Sequence, residues 1–143
     1  MSQTASCICG AVRLHLKQRP KEAGICHCGM CRKFSGGVYI GILVPSGGLE
    51  VENEEALTRY ASSPWAERGF CSKCGSSLFY RVTAPGPHHD EYHISLGCID
   101  QPDGIPVTEE IFSDKRPDGY AFAGDLPGKT EAEMMALFGA GDD

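Results

Sequence analysis

Cys71-Ser72-Lys73-Cys74-Gly75 is the stretch from which the rest of the chain is read. Two cysteines spaced by two residues turn their sulfurs toward one point, and the glycine after them suits the positive φ on which such a turn often ends. The same crowding recurs upstream, in Cys7-Ile8-Cys9 and in Cys26-His27-Cys28-Gly29-Met30-Cys31, so that only Cys98 of the eight cysteines stands apart. Neighbouring sulfurs of this kind suit a shared tetrahedral metal ion better than disulfides. Cys7 and Cys9, two residues apart, share one side of a short extended segment. With Cys71 and Cys74 they would complete a four-sulfur shell, tying the N-terminal segment to mid-chain across about sixty residues. Such a shell leaves zinc no vacant position and reads as structural.

The middle cluster has three cysteines within six residues and no fourth nearby. A three-ligand zinc keeps one position for water or substrate, the mark of a catalytic site. The alternatives are a second structural zinc closed by His27, Cys98 or a carboxylate, and a redox pair, which leaves the third thiol unexplained. Three thiolates make the metal a weak Lewis acid, better suited to holding an incoming thiolate than to generating hydroxide. That chemistry points to a thiol substrate and to a carbon–sulfur bond.

The chain's 143 residues are expected to form a single zinc-binding domain, 1–143. A hydrophobic content of 41% with 22% charged residues is that of a soluble globular protein. No apolar run reaches the ~20 residues that span a bilayer, and Met1–Ser6 lacks the basic start and apolar stretch of a secretory signal. A cytoplasmic location is therefore expected, where thiols persist as metal ligands. The net charge of −6 conceals a gradient: residues 1–49 hold six Lys/Arg against one acid, residues 84–143 thirteen acids against three bases. The basic section either draws in a small anionic substrate or is solvated surface. The balance disfavours nucleic-acid binding, which needs many cations on one face.

Val12, Leu14 and Leu16 alternate with polar residues as in a half-buried strand, and Val38–Val44 reads as a buried strand ended by Pro45. Further strands are expected at Ala56–Ala61, Ser77–Val82 and Tyr92–Gly97, with short edge strands at Glu109–Phe112 and Tyr120–Ala123 and a loop over Ala84–Asp90. One helix is expected near the C-terminus. Thr130 and Glu133 form its capping box, Met134, Leu137 and Phe138 its apolar stripe, Gly139 its stop, with a frayed Gly141–Asp143 beyond.

Cys7-x-Cys9-Gly10, Cys26-His27-Cys28-x-x-Cys31-Arg32-Lys33 and Arg68-Gly69-Phe70-Cys71-x-x-Cys74-Gly75-Ser76 follow one another in an order that resembles the glutathione-dependent formaldehyde-activating enzyme family, which includes centromere protein V. Gly97-Cys98-Ile99-Asp100 and Asp125-Leu126-Pro127 look like its C-terminal signatures, so the resemblance spans roughly residues 5–127. It implies a mainly β, compact β-tent fold of short antiparallel sheets pinned by two zincs. The structural zinc would lie on Cys7, Cys9, Cys71 and Cys74, and the catalytic zinc on Cys26, Cys28 and Cys31. It further implies a zinc-dependent carbon–sulfur lyase acting on glutathione or a glutathione adduct. The family's named reaction joins glutathione and formaldehyde into S-hydroxymethylglutathione. Gly119 departs from the pattern, standing where many members carry tryptophan.

The remaining candidates read more plainly. Cys98 is expected to be a small buried hydrophobe, His27 to point away from the metal, and His88, His89 and His93 to be solvated surface. Trp65 and Phe70 are expected to pack around the knuckle, and Arg32 and Lys33 either to meet glutathione carboxylates or to remain a solvated pair. The competing reading of the whole chain is a non-enzymatic zinc scaffold that binds a protein partner.

Overall fold

The computed structural model describes residues 3–138, so the expected helix stop at Gly139 and the Gly141–Asp143 end lie outside the described residues. In chain order come β1 (Gln3–Ser6), β2 (Arg13–Leu16), β3 (Ala23–Cys26), helix α1 (Gly29–Ser35), β4 (Tyr39–Val44), β5 (Leu49–Glu52) and β6 (Leu57–Ser63). They are followed by β7 (Ala66–Cys71), β8 (Ser77–Val82), β9 (Tyr92–Ser95), β10 (Val107–Ile111), β11 (Gly128–Lys129) and helix α2 (Glu131–Phe138). Alternation builds the smaller sheet, β1-β2-β5: Leu14 and Leu16 turn inward while Arg13 and His15 turn toward solvent. The larger sheet has the order β11-β10-β3-β4-β9-β8-β7-β6.

Val12, Leu14 and Leu16 meet Ile42, Val44, Leu78, Phe79 and Ile94 from the larger sheet in a shared core. Each such side chain, fully buried, contributes about 1.5–3 kcal/mol. Phe79 packs so closely on β7 that a Cβ at Gly69 would overlap its ring, which is why the strand carries glycine there. Asp100 fastens β1 across the gap between sheets, accepting from Thr4 Oγ1 at 2.6 Å and Ser6 Oγ at 2.7 Å while its own N–H donates to Thr4 O.

The mainly β architecture with a short C-terminal helix is as expected, and three details differ. The larger sheet is mixed, because β10 runs parallel to β3 and β11 parallel to β10. Long connections separate these strands, and only such connections allow parallel pairing. Accordingly β10 is an interior strand. Tyr120–Ala123 is irregular chain, its aromatic rings spent on covering His27. The third difference is α1, a helix inside the middle cysteine cluster. In α2 the capping box forms as read, Thr130 N–H donating to Glu133 Oε1 at 2.8 Å and Glu133 N–H to Thr130 Oγ1 at 3.2 Å. Only Met134 of the apolar stripe is buried, while Leu137 and Phe138 are exposed. The helix rests on the two-residue β11 and the turn at Ser113–Lys115.

Candidate metal centres

The knuckle at the end of β7 and the turn after β1 bring four sulfurs together. Those of Cys7, Cys9, Cys71 and Cys74 all lie within 4.8 Å of one another. Cys7 to Cys9 is 3.7 Å and Cys9 to Cys71 is 3.8 Å. A tetrahedral zinc with bonds of about 2.3 Å sets its sulfurs roughly 3.8 Å apart, so the spacing fits a zinc–tetrathiolate. Both turns close on glycines with positive φ, Gly10 at 80° and Gly75 at 78°, and Gly75 N–H donates to Cys71 O at 2.8 Å. Backbone donors converge on the sulfurs, Val12 N–H on Cys7 at 3.3 Å and Lys73 N–H on Cys71 at 3.4 Å. The Ser76 hydroxyl, 3.2 Å from Cys74 Sγ, holds that thiol down at about 5. Asp100 steadies this site through β1. Partial burial pushes its carboxyl up, but the Ser6 and Thr4 hydroxyls with nearby Arg13 hold it below the usual range.

The second group joins the end of a strand to the start of a helix. Cys26 ends β3, Cys28 is the N-cap of α1, and Cys31 lies buried in its first turn. The Cys28 sulfur accepts from Cys31 N–H at 3.4 Å, as a serine or aspartate oxygen would at this position. The three sulfurs again lie within 4.8 Å of one another, and among the described residues neither His27, Cys98 nor any carboxylate joins them. Hydrogen bonds from Cys26 and Cys31 hold the Cys28 thiol far down, and the contact with Cys28 pushes Cys26 far up. Three sulfurs this close cannot all ionise without a cation among them. A soft, all-sulfur donor set suits zinc.

Three other parts of the chain shape this second site. His27 points away from the sulfurs, as expected, and is buried. Its Nε2 lies 2.7 Å from Glu110 Oε1, which also accepts from Arg116 at 3.2 Å, with the Tyr120 and Phe122 rings close by. The side chain therefore pins the cysteine loop to β10. Arg68, buried on β7, directs Nη1 and Nη2 at Cys31 Sγ, each at 3.6 Å, between the rings of Phe34 and Tyr80. Sequence reasoning passed over it, since an arginine within a strand suggests solvent. Its place in Arg68-Gly69-Phe70-Cys71 was the available signal. Between the two clusters lies an open groove of about 630 Å³, walled by Ser35, Tyr39, Ser77, Ser95 and Cys98 among others.

Cys98 is half-buried, its thiol pushed up to about 11 by burial and directed at Ser77 O, 3.4 Å away. His88 and His89 are exposed. His93 is not solvated surface: it is partly buried on β9 with its ring edge-on to Tyr80, and desolvation holds its pKa below the usual value. Trp65 is not core either. It sits at the tip of the β6–β7 hairpin, where no layer opposes it, and is 47% exposed. Phe70 is half-buried beside the knuckle. Arg32 and Lys33 are exposed, as a solvated pair would be. Gly119 is exposed, with open space where a side chain would stand. Among the described residues no helix is long and apolar enough to cross a membrane.

Comparison with known proteins places this arrangement. An uncharacterized lyase of Schizosaccharomyces pombe is 28% identical over 130 residues, covering 91% of this chain and 92% of its own length. A Halomonas elongata protein, provisionally described as a glutathione-dependent formaldehyde-activating enzyme, is 36% identical over 83 residues, 52% of each chain. The crystal structure of a Rhodobacter sphaeroides protein shares the fold, with a TM-score of 0.56 at 24% identity over 73% of this chain and 99% of that one. The family model for glutathione-dependent formaldehyde-activating enzymes matches residues 2–115, from the strand before Cys7 to beyond Cys98. By that match, which takes in every cysteine, the chain belongs to the glutathione-dependent formaldehyde-activating enzyme family.

Proposed function

We propose that this protein is a zinc-dependent carbon–sulfur lyase acting on glutathione or a glutathione adduct, with Cys26, Cys28 and Cys31 holding its working metal and Cys7, Cys9, Cys71 and Cys74 a structural one. The observation that carries the proposal is a three-sulfur cluster with no fourth ligand atom among the described residues, in a chain of this family. Zinc bound there would offer the substrate sulfur a fourth position among three thiolates. The chain's own part is to hold that position. Cys28 and Cys31 are fixed by the first turn of α1, Cys26 by the β3–β4 pairing, and the loop between them by His27 on Glu110. The reaction is addition of a thiol to an aldehyde. The thiol proton leaves, the sulfur forms a bond to the carbonyl carbon, and the π pair moves to oxygen, which takes up a proton. The lyase direction is the reverse. The cysteines act as ligands rather than nucleophiles.

The reading extends to residues 1–143 as one domain working in the cytoplasm, where reducing conditions keep the cysteines as thiols. No nucleic-acid partner is assigned to a chain of net charge −6.

The test follows hemithioacetal formation from glutathione and formaldehyde at low reactant concentrations, where the spontaneous reaction is slow. Acceleration by the native protein, lost at least 100-fold in Cys28→Ser, is the expected result. A native rate equal to the uncatalysed one across a panel of thiols and aldehydes would overturn the proposal.

A further inference from the structure

Arg68 is a buried cation without a carboxylate. Its side chain is 4% exposed as a residue, and Cys31 Sγ is its one hydrogen-bond acceptor among the described residues, since Nε finds none. The neighbouring arginines behave differently. Arg59 and Arg81 both pair with Glu67, at 2.6 and 3.1 Å, and Arg81 also pairs with Asp90 at 2.7 Å. Glu67 adjoins Arg68 in sequence but projects from the opposite face of β7, as successive strand residues must. Arginine keeps its charge when buried, and a charge removed from water needs a partner. The rings of Phe34 at 5.3 Å and Tyr80 at 4.9 Å hold the guanidinium plane in place. The countercharge for this cation is therefore the cysteine cluster itself.

We propose that Arg68 is a positioning residue of the second cluster, a fixed countercharge that lets Cys26, Cys28 and Cys31 surround a metal ion and still admit a fourth, anionic sulfur. The inference rests on the reading of that cluster as a metal site. Three thiolates around a divalent ion carry one net negative charge. The guanidinium cancels it, so an incoming thiolate meets a neutral site rather than an anionic one. The four-cysteine cluster takes no further ligand, and its Cys9 is exposed to solvent that screens its charge. No arginine contacts its sulfurs among the described residues. Part of the effect is mechanical, because two N–H groups on one sulfur also fix the rotamer of Cys31.

The experiment uses the full-length protein loaded with cobalt(II) in place of zinc, in native form and as Arg68→Gln, Arg68→Met and Arg68→Lys. Methionine keeps an apolar stem between Phe34 and Tyr80, and ellipticity together with the first cobalt reports an intact fold. Chelator competition and the thiolate-to-cobalt charge-transfer band are measured first, and glutathione is then titrated into each. Two ions are expected in the native protein. The neutral variants should lose about 10- to 100-fold in affinity for the second ion and need more glutathione to shift the cobalt spectrum, with the first ion unaffected and lysine restoring part of both effects. Native affinity in the neutral variants, or a lysine variant as impaired as methionine, overturns the role of Arg68 and leaves the metal reading standing. A single ion in the native protein overturns both.

Discussion

Cys28 uses one atom twice: its sulfur caps α1 and belongs to the three-sulfur group. Serine is a good N-cap but a poor zinc ligand, so Cys28→Ser separates the metal from the helix and is the variant of choice for this site. His93 gives a prediction of another kind. Desolvation depresses its pKa in the folded chain below the usual value of about 6.5. The unfolded chain then binds the proton more readily, so the stability that neutral His93 confers is present above about pH 6.5 and is lost as pH falls through the folded pKa. In an NMR titration of the zinc-loaded protein the His93 ring should show a midpoint below 6.5; one at or above that value contradicts the burial argument. At this scale the grouping of the seven sulfurs was legible because each half-site is local. The partners of His27 and Arg68 were not, because Glu110 and Cys31 lie 83 and 37 positions away.

Among the elements, β2, β4, β6 and β8 carried clean apolar runs or alternation and were read from the sequence within a residue or two. The strand β7 escaped because Arg68 and Gly69 fill two successive buried positions, one on each face, where large apolar residues would have marked the strand. Both have site-specific reasons, the cysteine cluster for one and the Phe79 ring for the other. Strand β3 offers only Ala-Gly-Ile-Cys, too short for a period. Helix α1 spans fewer than two turns and opens on a cysteine cap, so it shows neither a stripe nor a common N-cap residue. The two-period of Leu49 and Val51 against Glu50 and Glu52 was present and marks β5. Gly69→Ala tests the closest strand contact. The added methyl has to displace a fully buried ring, so stability should fall by about 1–3 kcal/mol, measured as a lower urea midpoint at unchanged slope. An unchanged midpoint would mean that the ring can shift freely.

Across the whole molecule, two sheets share a core that the four-cysteine cluster closes like a clasp, joining residues 62 positions apart. The three-cysteine cluster lies where β3 leaves the sheet, outside that clasp. The two sites should therefore come apart, one supporting the fold and the other dispensable to it. The direct test is native mass spectrometry of anaerobically purified protein, comparing the native chain with Cys28→Ser after zinc has been added back. Two zinc ions per native chain and one in the variant, with the charge-state distribution of a folded protein in both, is the expected result. One zinc in both, or a variant that loses both ions and unfolds, would contradict a separable second metal centre.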